Sequence, residues 1–256
     1  ELTAKGHVWC RLEGWEDRRF LTDDRMWAVM LDPEHNLLAF PDTEVPGLAL
    51  IHGLPMNAAT RNYFGGRYLG GSERDDYNAL IPTRQHAWLL GRIAAKDAAK
   101  HQVERPVFPA EVVVSNDEAG RPLIAFADLP GLRVSIAHKA AVAAAYVTLE
   151  GSPGVDIETV EAREAGFEEI AFTQPERALL PADPAGRDTE IARFWAAKEA
   201  LGKARGTGLS GNPKGLVVER VDGDDLVVDG APVTTRITEI EGHELTYALA
   251  WTVVPA

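Results

Sequence analysis

A short strand pattern constrains this chain more than any other part of its sequence. Residues 154–158 read Gly-Val-Asp-Ile-Glu, so apolar Val155 and Ile157 alternate with Asp156 and Glu158. Side chains at positions i and i+2 of a strand share a face, which places the two carboxylates side by side. Adjacent carboxylates repel unless a cation joins them, and Mg²⁺ with oxygen ligands is the natural choice. A solvent-facing strand edge is the ordinary alternative for this pattern taken alone.

A helix pattern follows at residues 189–204. It contains Phe-Trp-Ala-Ala-Lys-Glu-Ala-Leu-Gly-Lys from Phe194 to Lys203, and Gly206 comes next as a stop signal. Glu199 and Lys203 are four residues apart, so they lie on one face of the helix. That spacing alone is equally typical of an exposed salt bridge, which contributes about 0.3–0.5 kcal/mol.

Composition excludes several classes of protein. The chain has 256 residues, 45% of them hydrophobic, which is enough for one large domain or two small ones. Its formal net charge of −13 makes it a poor general binder of nucleic acid. Cys10 is the single cysteine, so an internal disulfide framework is excluded. No apolar run approaches ~18 residues and there is no signal-peptide pattern, so we expect a cytoplasmic protein without a membrane partner.

The remaining pattern predicts an α+β protein. Thr173 and Glu176 form a capping box that opens a helix with Pro175 in its first turn. A loop at residues 151–154 separates two stretches with a similar mixture of helices and short strands. Predicted elsewhere are a helix over residues 85–101, strands at 7–12, 111–114, 132–136, 141–149 and 245–254, and a hairpin over 216–228.

Basic residues that suit an anionic ligand lie upstream of the two motifs. Residues 61–105 hold eight basic and five acidic side chains, in a chain that is acidic overall. Arg121 follows Gly120 at a tight turn, and His138 with Lys139 follows a short apolar strand. A solvated helix face or a surface loop is the ordinary alternative for each of them.

The order and spacing of these motifs closely resemble the surfactin-type 4′-phosphopantetheinyl transferases. Gly120-Arg121-Pro122 comes first, then Ser-Ile-Ala-His at residues 135–138, then the strand and helix motifs. The last two resemble the family signature, Gly-(Ile/Val)-Asp followed by Trp-x-x-Lys-Glu-(Ser/Ala)-x-x-Lys. The resemblance runs from about residue 60 to the end of the chain and includes Glu176 and the loop at residues 206–209.

The resemblance implies a reaction and a set of catalytic residues. The family transfers the phosphopantetheine arm of coenzyme A to a serine of an acyl or peptidyl carrier protein and releases adenosine 3′,5′-bisphosphate. By this resemblance Asp156, Glu158 and Glu199 bind Mg²⁺, Glu199 also acts as the general base, and Lys203 neutralises the pyrophosphate. In-line attack at phosphorus needs such a metal and a positioned base.

The same resemblance assigns the residues that bind coenzyme A. Arg121 and His138 would hold the adenosine 3′-phosphate, with Lys139 beside them and Lys203 on the pyrophosphate. Arg74 resembles, less specifically, a basic residue that the family places before its long helix. The family commonly has serine where this chain has Ala137, which removes one possible hydroxyl contact to coenzyme A.

The resemblance also implies a domain organisation. We expect a monomer of two similar halves, residues 51–152 and 153–256, related by a pseudo-twofold with the active site in the cleft between them. Each half would be a small sheet packed with helices. Residues 1–50 lie outside the match and are expected to be an N-terminal extension or linker from a larger synthase.

The first residues indicate the kind of synthase to which this domain is expected to belong. Residues 7–11, Gly14-Trp15 and residues 18–20 resemble the segment after a dehydratase region in iterative, enediyne-type polyketide synthases. The chain also lacks an initiating Met. We therefore expect a C-terminal domain excised from such a synthase, with a polyketide carrier domain as its partner.

Two other functions remain open at this point. A domain of this kind can be a docking module that binds carrier domains without catalysis, or a Mg²⁺-dependent pyrophosphate hydrolase. The complete set of three carboxylates with Lys203 argues against the docking module, which has no need of them.

Overall fold

The structure, a computed structural model, describes residues 2–11, 13–14, 23–55, 57–240 and 244–255. It is a mixed α+β fold of helices and several small antiparallel sheets, as predicted. The helices are α1 (Asp24–Leu31), α2 (Ala58–Tyr68), α3 (Gly71–Ala79), α4 (Pro82–Lys100), α5 (Phe167–Ala171), α6 (Gln174–Leu179) and α7 (Pro184–Ala204), with 3₁₀ turns at Pro109–Glu111 and Pro213–Gly215. None of the described helices is long and apolar enough to cross a membrane.

The strands form two larger sheets and two hairpins. The strands are β1 (Leu2–Ala4), β2 (His7–Cys10), β3 (Phe40–Pro41), β4 (Leu48–Ile51), β5 (Val113–Asn116), β6 (Pro122–Ala125), β7 (Arg133–Lys139), β8 (Val142–Thr148), β9 (Ser152–Thr159), β10 (Val218–Asp222), β11 (Asp225–Val228), β12 (Ala231–Glu239) and β13 (Thr246–Val254). One sheet has the order β3-β4-β8-β7 and the other β10-β11-β12-β13-β9, while β1-β2 and β5-β6 are separate hairpins.

The same sequence of elements occurs twice. In the first half β4 is followed by α3, α4, the hairpin β5-β6 and the pair β7-β8, and β4 returns to pair with β8. In the second half β9 is followed by α6, α7, the hairpin β10-β11 and the pair β12-β13, and β9 pairs with β13. The two predicted halves therefore share this order of elements, but β10-β11 joins the sheet of the second half whereas β5-β6 stays a separate hairpin.

A buried ion pair anchors the long helix of the first half. Lys96 on α4 donates from Nζ to Glu73 Oε2 at 2.7 Å and to Tyr68 O at 2.7 Å. Glu73 Oε2 also accepts from Gly70 N at 2.9 Å, and its Oε1 accepts from Val114 N at 3.0 Å. Both charged side chains are almost fully buried, and every carboxylate oxygen has a partner. Removal of one member of such a pair typically costs about 3–5 kcal/mol.

The second half contains the same arrangement. Lys198 on α7 donates from Nζ to Glu176 Oε1 at 2.8 Å and to Ala171 O at 2.9 Å. Glu176 Oε1 accepts from Val218 N at 3.0 Å, and Oε2 accepts from Thr173 N at 2.7 Å. In both halves the glutamate caps the N-terminus of a short helix, α3 or α6. It also accepts a hydrogen bond from the first strand of the hairpin that follows, β5 or β10. The capping box predicted at Thr173 is confirmed, and its glutamate has this second role.

The two halves contact each other along β7 and β9. Val155 N donates to Ser135 Oγ at 3.1 Å, which ties the two strands together. A core cluster beside this contact contains Ala137 of the first half and Tyr247 and Leu249 of the second. Ala137 is buried in that apolar cluster, so its methyl group packs where a serine hydroxyl would need a polar partner.

From residue 23 onward, the described part of residues 1–50 packs into the first half. Met26, Val29 and Leu38 pack in the same core cluster as α4, and β4 joins the sheet of the first half. The predicted boundary at residue 50 therefore falls inside β4, because Leu48–Ile51 is one continuous strand. Trp15 and residues 18–20 lie outside the described residues.

Three predicted boundaries are displaced along the chain. Residues 151–154 were predicted as a loop, but β9 already begins at Ser152. Pro109–Glu111 forms a 3₁₀ turn, so the strand predicted at residues 111–114 begins at Val113. The helix predicted from Thr189 begins at Pro184, because Asp183 caps its N-terminus and Pro184 suits the first helical position.

Candidate functional site

The carboxylate face of β9 lies directly against α7. Gly154 shares that face with Asp156 and Glu158, and a Cβ added at Gly154 would lie 1.9 Å from Ala200 O. Only glycine therefore allows the helix to approach the strand this closely. The close approach brings the side chains of the predicted helix motif to those of the strand motif.

Lys203 makes the contact that joins the two motifs. Its Nζ lies 2.7 Å from Asp156 Oδ1 and 3.1 Å from Val155 O on β9. It also lies 3.5 Å from Ile136 O on β7, at the limit of a hydrogen bond. Lys203 is thus placed where the two halves meet.

The carboxylates of the site influence one another. Burial raises the pKa of Asp156 to about 6, although Lys203 opposes this, and the charges of Glu158 and Glu199 raise it further. Burial also raises the pKa of Glu199, with Lys203 lowering it and Glu158 raising it. Asp156 Oδ2 is buried and has no hydrogen-bond partner. The three predicted metal ligands therefore form one electrostatically coupled group.

Glu158 is held by two cations. Lys139 Nζ lies 2.7 Å from Glu158 Oε2, and Arg163 Nη2 lies 3.0 Å from the same oxygen. Lys139 was predicted as a coenzyme A contact, and here it pairs with a predicted metal ligand. Sequence reasoning missed Arg163; a basic residue soon after an acidic strand was its only signal.

The donor set fits a magnesium ion, although the three carboxylates are not gathered tightly around one point. Among the described residues, only Asp32, Glu34 and His35 bring metal-binding atoms within 4.8 Å of one another, and that group is partly exposed. At the site, Asp156, Glu158 and Glu199 offer carboxylate oxygens, the ligand type that Mg²⁺ prefers. The unpartnered Oδ2 of Asp156 is a buried acceptor that a cation would satisfy.

Arg121 reaches the end of the same helix from the first half. Its main-chain N and its Nε donate to Asp117 Oδ1 and Oδ2 at 2.9 and 2.7 Å. Arg121 Nη1 would be 2.7 Å from a Cβ added at Gly206, so the guanidinium lies against the loop that follows α7. That loop folds back on the helix, since Gly208 N donates to Gly202 O at 2.9 Å.

His138 and Arg74 have different surroundings. The pKa of His138 is lowered by partial burial and by the charge of Lys203, which places this histidine near the site. Arg74 donates from Nη2 to Gly66 O at 2.7 Å and from Nε to Leu69 O at 3.1 Å. It therefore closes the C-terminus of α2, and within the described residues no recorded contact joins it to the other predicted site residues.

Comparisons with known proteins identify the family of this chain. Residues 152–248 match the 4′-phosphopantetheinyl transferase superfamily. The chain is also similar to a holo-[acyl-carrier-protein] synthase of Bacillus subtilis (strain 168), at 32% identity over 99 residues, which cover 36% of this chain and 82% of the relative. The protein is therefore a transferase enzyme. It belongs to the 4′-phosphopantetheinyl transferase superfamily, and the matched residues include β9 and α7.

Proposed function

We propose that this enzyme transfers the 4′-phosphopantetheine arm of coenzyme A to a serine of an acyl carrier domain, with Mg²⁺, and releases adenosine 3′,5′-bisphosphate. The observation that carries the proposal is the convergence of Asp156 and Glu158 of β9 with Glu199 and Lys203 of α7. The resemblance of the first residues to a synthase segment supports a polyketide carrier as the partner.

Each catalytic side chain has a role in this reaction. Asp156, Glu158 and Glu199 would hold Mg²⁺, which supplies charge neutralisation on the pyrophosphate when it is bound. Glu199 takes the proton from the carrier serine. A carboxylate that also binds Mg²⁺ is a weak base, so it serves here only if the serine lies within hydrogen-bond reach and the proton leaves as the new bond to phosphorus develops. The serine oxygen bonds to the phosphorus that carries the pantetheine arm, and the bond to the bisphosphate breaks. Lys203 donates to the phosphate oxygens as charge develops on the leaving group.

The coenzyme A contacts come from the first half. Arg121 and His138 would bind the adenosine 3′-phosphate, and Arg121 is well placed because it lies against the loop after α7. Lys139 would turn from Glu158 to the ligand. Arg74 is the weakest member of the set, since its guanidinium is occupied by the end of α2.

The surfactin-type subfamily is part of the proposal. The repeated order of elements and the duplicated Lys–Glu pair support two halves related by a pseudo-twofold, with coenzyme A in the cleft. One chain then supplies both halves, so we expect a cytoplasmic monomer with no nucleic-acid partner.

Mass spectrometry of a carrier domain tests the function. The protein, an acyl carrier domain from an iterative polyketide synthase, coenzyme A and Mg²⁺ are incubated together. We expect the carrier to gain the mass of one phosphopantetheine arm at one serine. Glu199→Gln should abolish the gain, and Glu219→Gln, a change at an exposed position of β10, should leave it intact.

Three outcomes would contradict the proposal in different ways. Full activity of Glu199→Gln would refute the catalytic assignment. Release of adenosine bisphosphate without any carrier would indicate a pyrophosphate hydrolase. If the protein binds carriers and coenzyme A but transfers the arm to none of the carriers tried, it is a docking module.

A further inference from the structure

Arg92 is a buried cation outside the catalytic residues described above. It lies on α4 and is only 5% exposed. Its guanidinium lies 4.3 Å from the centre of the Trp88 ring, and its Nη2 donates to Asn116 Oδ1. Its Nε is buried without a hydrogen-bond partner. A buried cation is unfavourable unless its surroundings compensate, so this position needs an explanation.

Asn116 connects α4 with the turn between β5 and β6. It is the last residue of β5, and its Nδ2 donates to Gly120 O at 2.7 Å. Gly120 has a φ of +81°, in the left-handed region that glycine adopts easily. Arg92, Asn116 and Gly120 therefore form a chain of two hydrogen bonds from the buried helix to the exposed turn.

Asp117 holds the same turn from within. Its Oδ1 accepts from Ala119 N and from Arg121 N, both at 2.9 Å, and its Oδ2 accepts from Arg121 Nε. These contacts, with the main-chain bonds from Asp117 N to Arg121 O and from Gly120 N to Asp117 O, hold the shape of the turn. The Asn116 contact attaches that shape to α4, so it sets where the turn, and Arg121 at its end, lies relative to the rest of the first half.

We propose that Arg92 is a positioning residue for coenzyme A binding, which acts through Asn116 to hold Arg121 at the adenosine 3′-phosphate. The inference rests on the proposed function, in which Arg121 makes that contact. A guanidinium suits the role because it stacks on Trp88 and donates to Asn116 at the same time. A lysine ammonium has no planar group to stack in this way.

The test compares coenzyme A with 3′-dephospho-coenzyme A as substrates. Values of kcat and KM are measured for wild type, Arg121→Ala, Asn116→Ala and Arg92→Lys. Arg121→Ala should lower kcat/KM for coenzyme A by about 10- to 100-fold, as expected for loss of a charge-assisted hydrogen bond. Its kcat/KM for the dephospho substrate should be unchanged, so the preference for coenzyme A disappears.

The positioning variants should reduce the same preference without touching Arg121. We expect Asn116→Ala to raise KM for coenzyme A several-fold, with kcat retained and the dephospho substrate unaffected. Arg92→Lys should do the same. Asn116 is exposed, so Asn116→Ala keeps the test valid if Arg92→Lys does not fold. Arg105→Lys is the matched control, because Arg105 pairs with Glu111 and Asp128 at the surface.

The outcomes separate this inference from the proposed function. If Arg121→Ala loses the preference while Asn116→Ala and Arg92→Lys keep it, the positioning role is wrong and the proposed function stands. If all variants weaken both substrates equally, Arg92 is only structural and the inference is overturned. If Arg121→Ala keeps the wild-type preference, the assigned phosphate contact fails and the inference fails with it.

Discussion

Asp97 occupies the position in the first half that Glu199 occupies in the second. Each residue directly follows the lysine of a buried Lys–Glu pair, but Asp97 is fully buried under the N-terminal segment. Its Oδ2 accepts from Leu38 N at 2.7 Å, from Ala39 N at 2.9 Å and from the Tyr68 hydroxyl at 3.1 Å. Its Oδ1 has no hydrogen-bond partner.

This geometry predicts different effects for two substitutions. Asp97→Asn can place its oxygen where Oδ2 lies and its NH₂ group where Oδ1 lies, which keeps all three hydrogen bonds. Asp97→Ala leaves three buried donors without an acceptor, and each costs about 1–3 kcal/mol. We therefore expect Asp97→Ala to lose at least about 3 kcal/mol of unfolding free energy. Asp97→Asn should lose less, because only its NH₂ group, at the position of Oδ1, is left without a partner, which costs about 1–3 kcal/mol.

The ionisation of Asp97 adds a pH dependence. Burial raises its pKa from 3.8 to about 6, with Lys100 opposing the shift. A raised pKa means that the folded state favours the protonated form, by roughly 3 kcal/mol for a shift of this size. That contribution is fully present below pH 4 and is lost as the pH rises through 6. At pH 8 the removal of this buried charge offsets the cost of the unpartnered NH₂ group, so Asp97→Asn should be as stable as wild type or more stable, by up to roughly 2 kcal/mol.

Urea unfolding at pH 5 and pH 8, with amide hydrogen exchange of residues 38 and 39, measures these effects. The advantage of Asp97→Asn over wild type should shrink from pH 8 to pH 5. Asp97→Ala should lose exchange protection at residues 38 and 39. Equal destabilisation by both substitutions would refute the reasoning, and so would a stability difference between Asp97→Asn and wild type that does not change with pH.

Two further predictions concern the contacts that place α7. Gly154→Ala should push the helix away from β9, because the new Cβ would meet Ala200 O at 1.9 Å. We expect a loss of about 1–3 kcal/mol in stability and at least about tenfold in transfer rate, measured by thermal unfolding and carrier loading. Gly66→Ala, which meets nothing within 4 Å, is the control, and an equal effect there would contradict the packing argument. Lys198→Met should cost about 3–5 kcal/mol by urea unfolding, because it leaves Glu176 buried without its cation. A loss below about 1 kcal/mol would mean that the pair does not anchor the helix.

The site could be predicted from the sequence wherever a local pattern carried the information. The alternation of β9 and the four-residue spacing of Glu199 and Lys203 each follow from one element. The 2.7 Å contact between Lys203 and Asp156 required more, because it depends on the close packing at Gly154. The family resemblance brought those two elements together where their spacing could not.

Long-range contacts account for what the sequence did not indicate. Arg163 is an exception, because it meets Glu158 only five residues away, in the segment that follows β9. Residues 24–50 contain few periodic signals, so their packing against α4 depends on partners far along the chain, such as Asp97. The glutamate partners of Lys96 and Lys198 could not be predicted from a local pattern either, since each lies more than twenty residues away along the chain.

In each half the lysine of the buried Lys–Glu pair stabilises the long helix, and the very next residue can serve another purpose. Lys96 and Lys198 each pair with a glutamate that precedes their helix, so the side chain after the lysine is not needed to anchor the helix. In the first half that next residue is Asp97, which accepts hydrogen bonds from the main chain of Leu38 and Ala39. In the other half it is Glu199, which stands at the site. In a fold that anchors its helices in this way, the residue after the lysine can differ between the halves while the buried Lys–Glu pair stays the same.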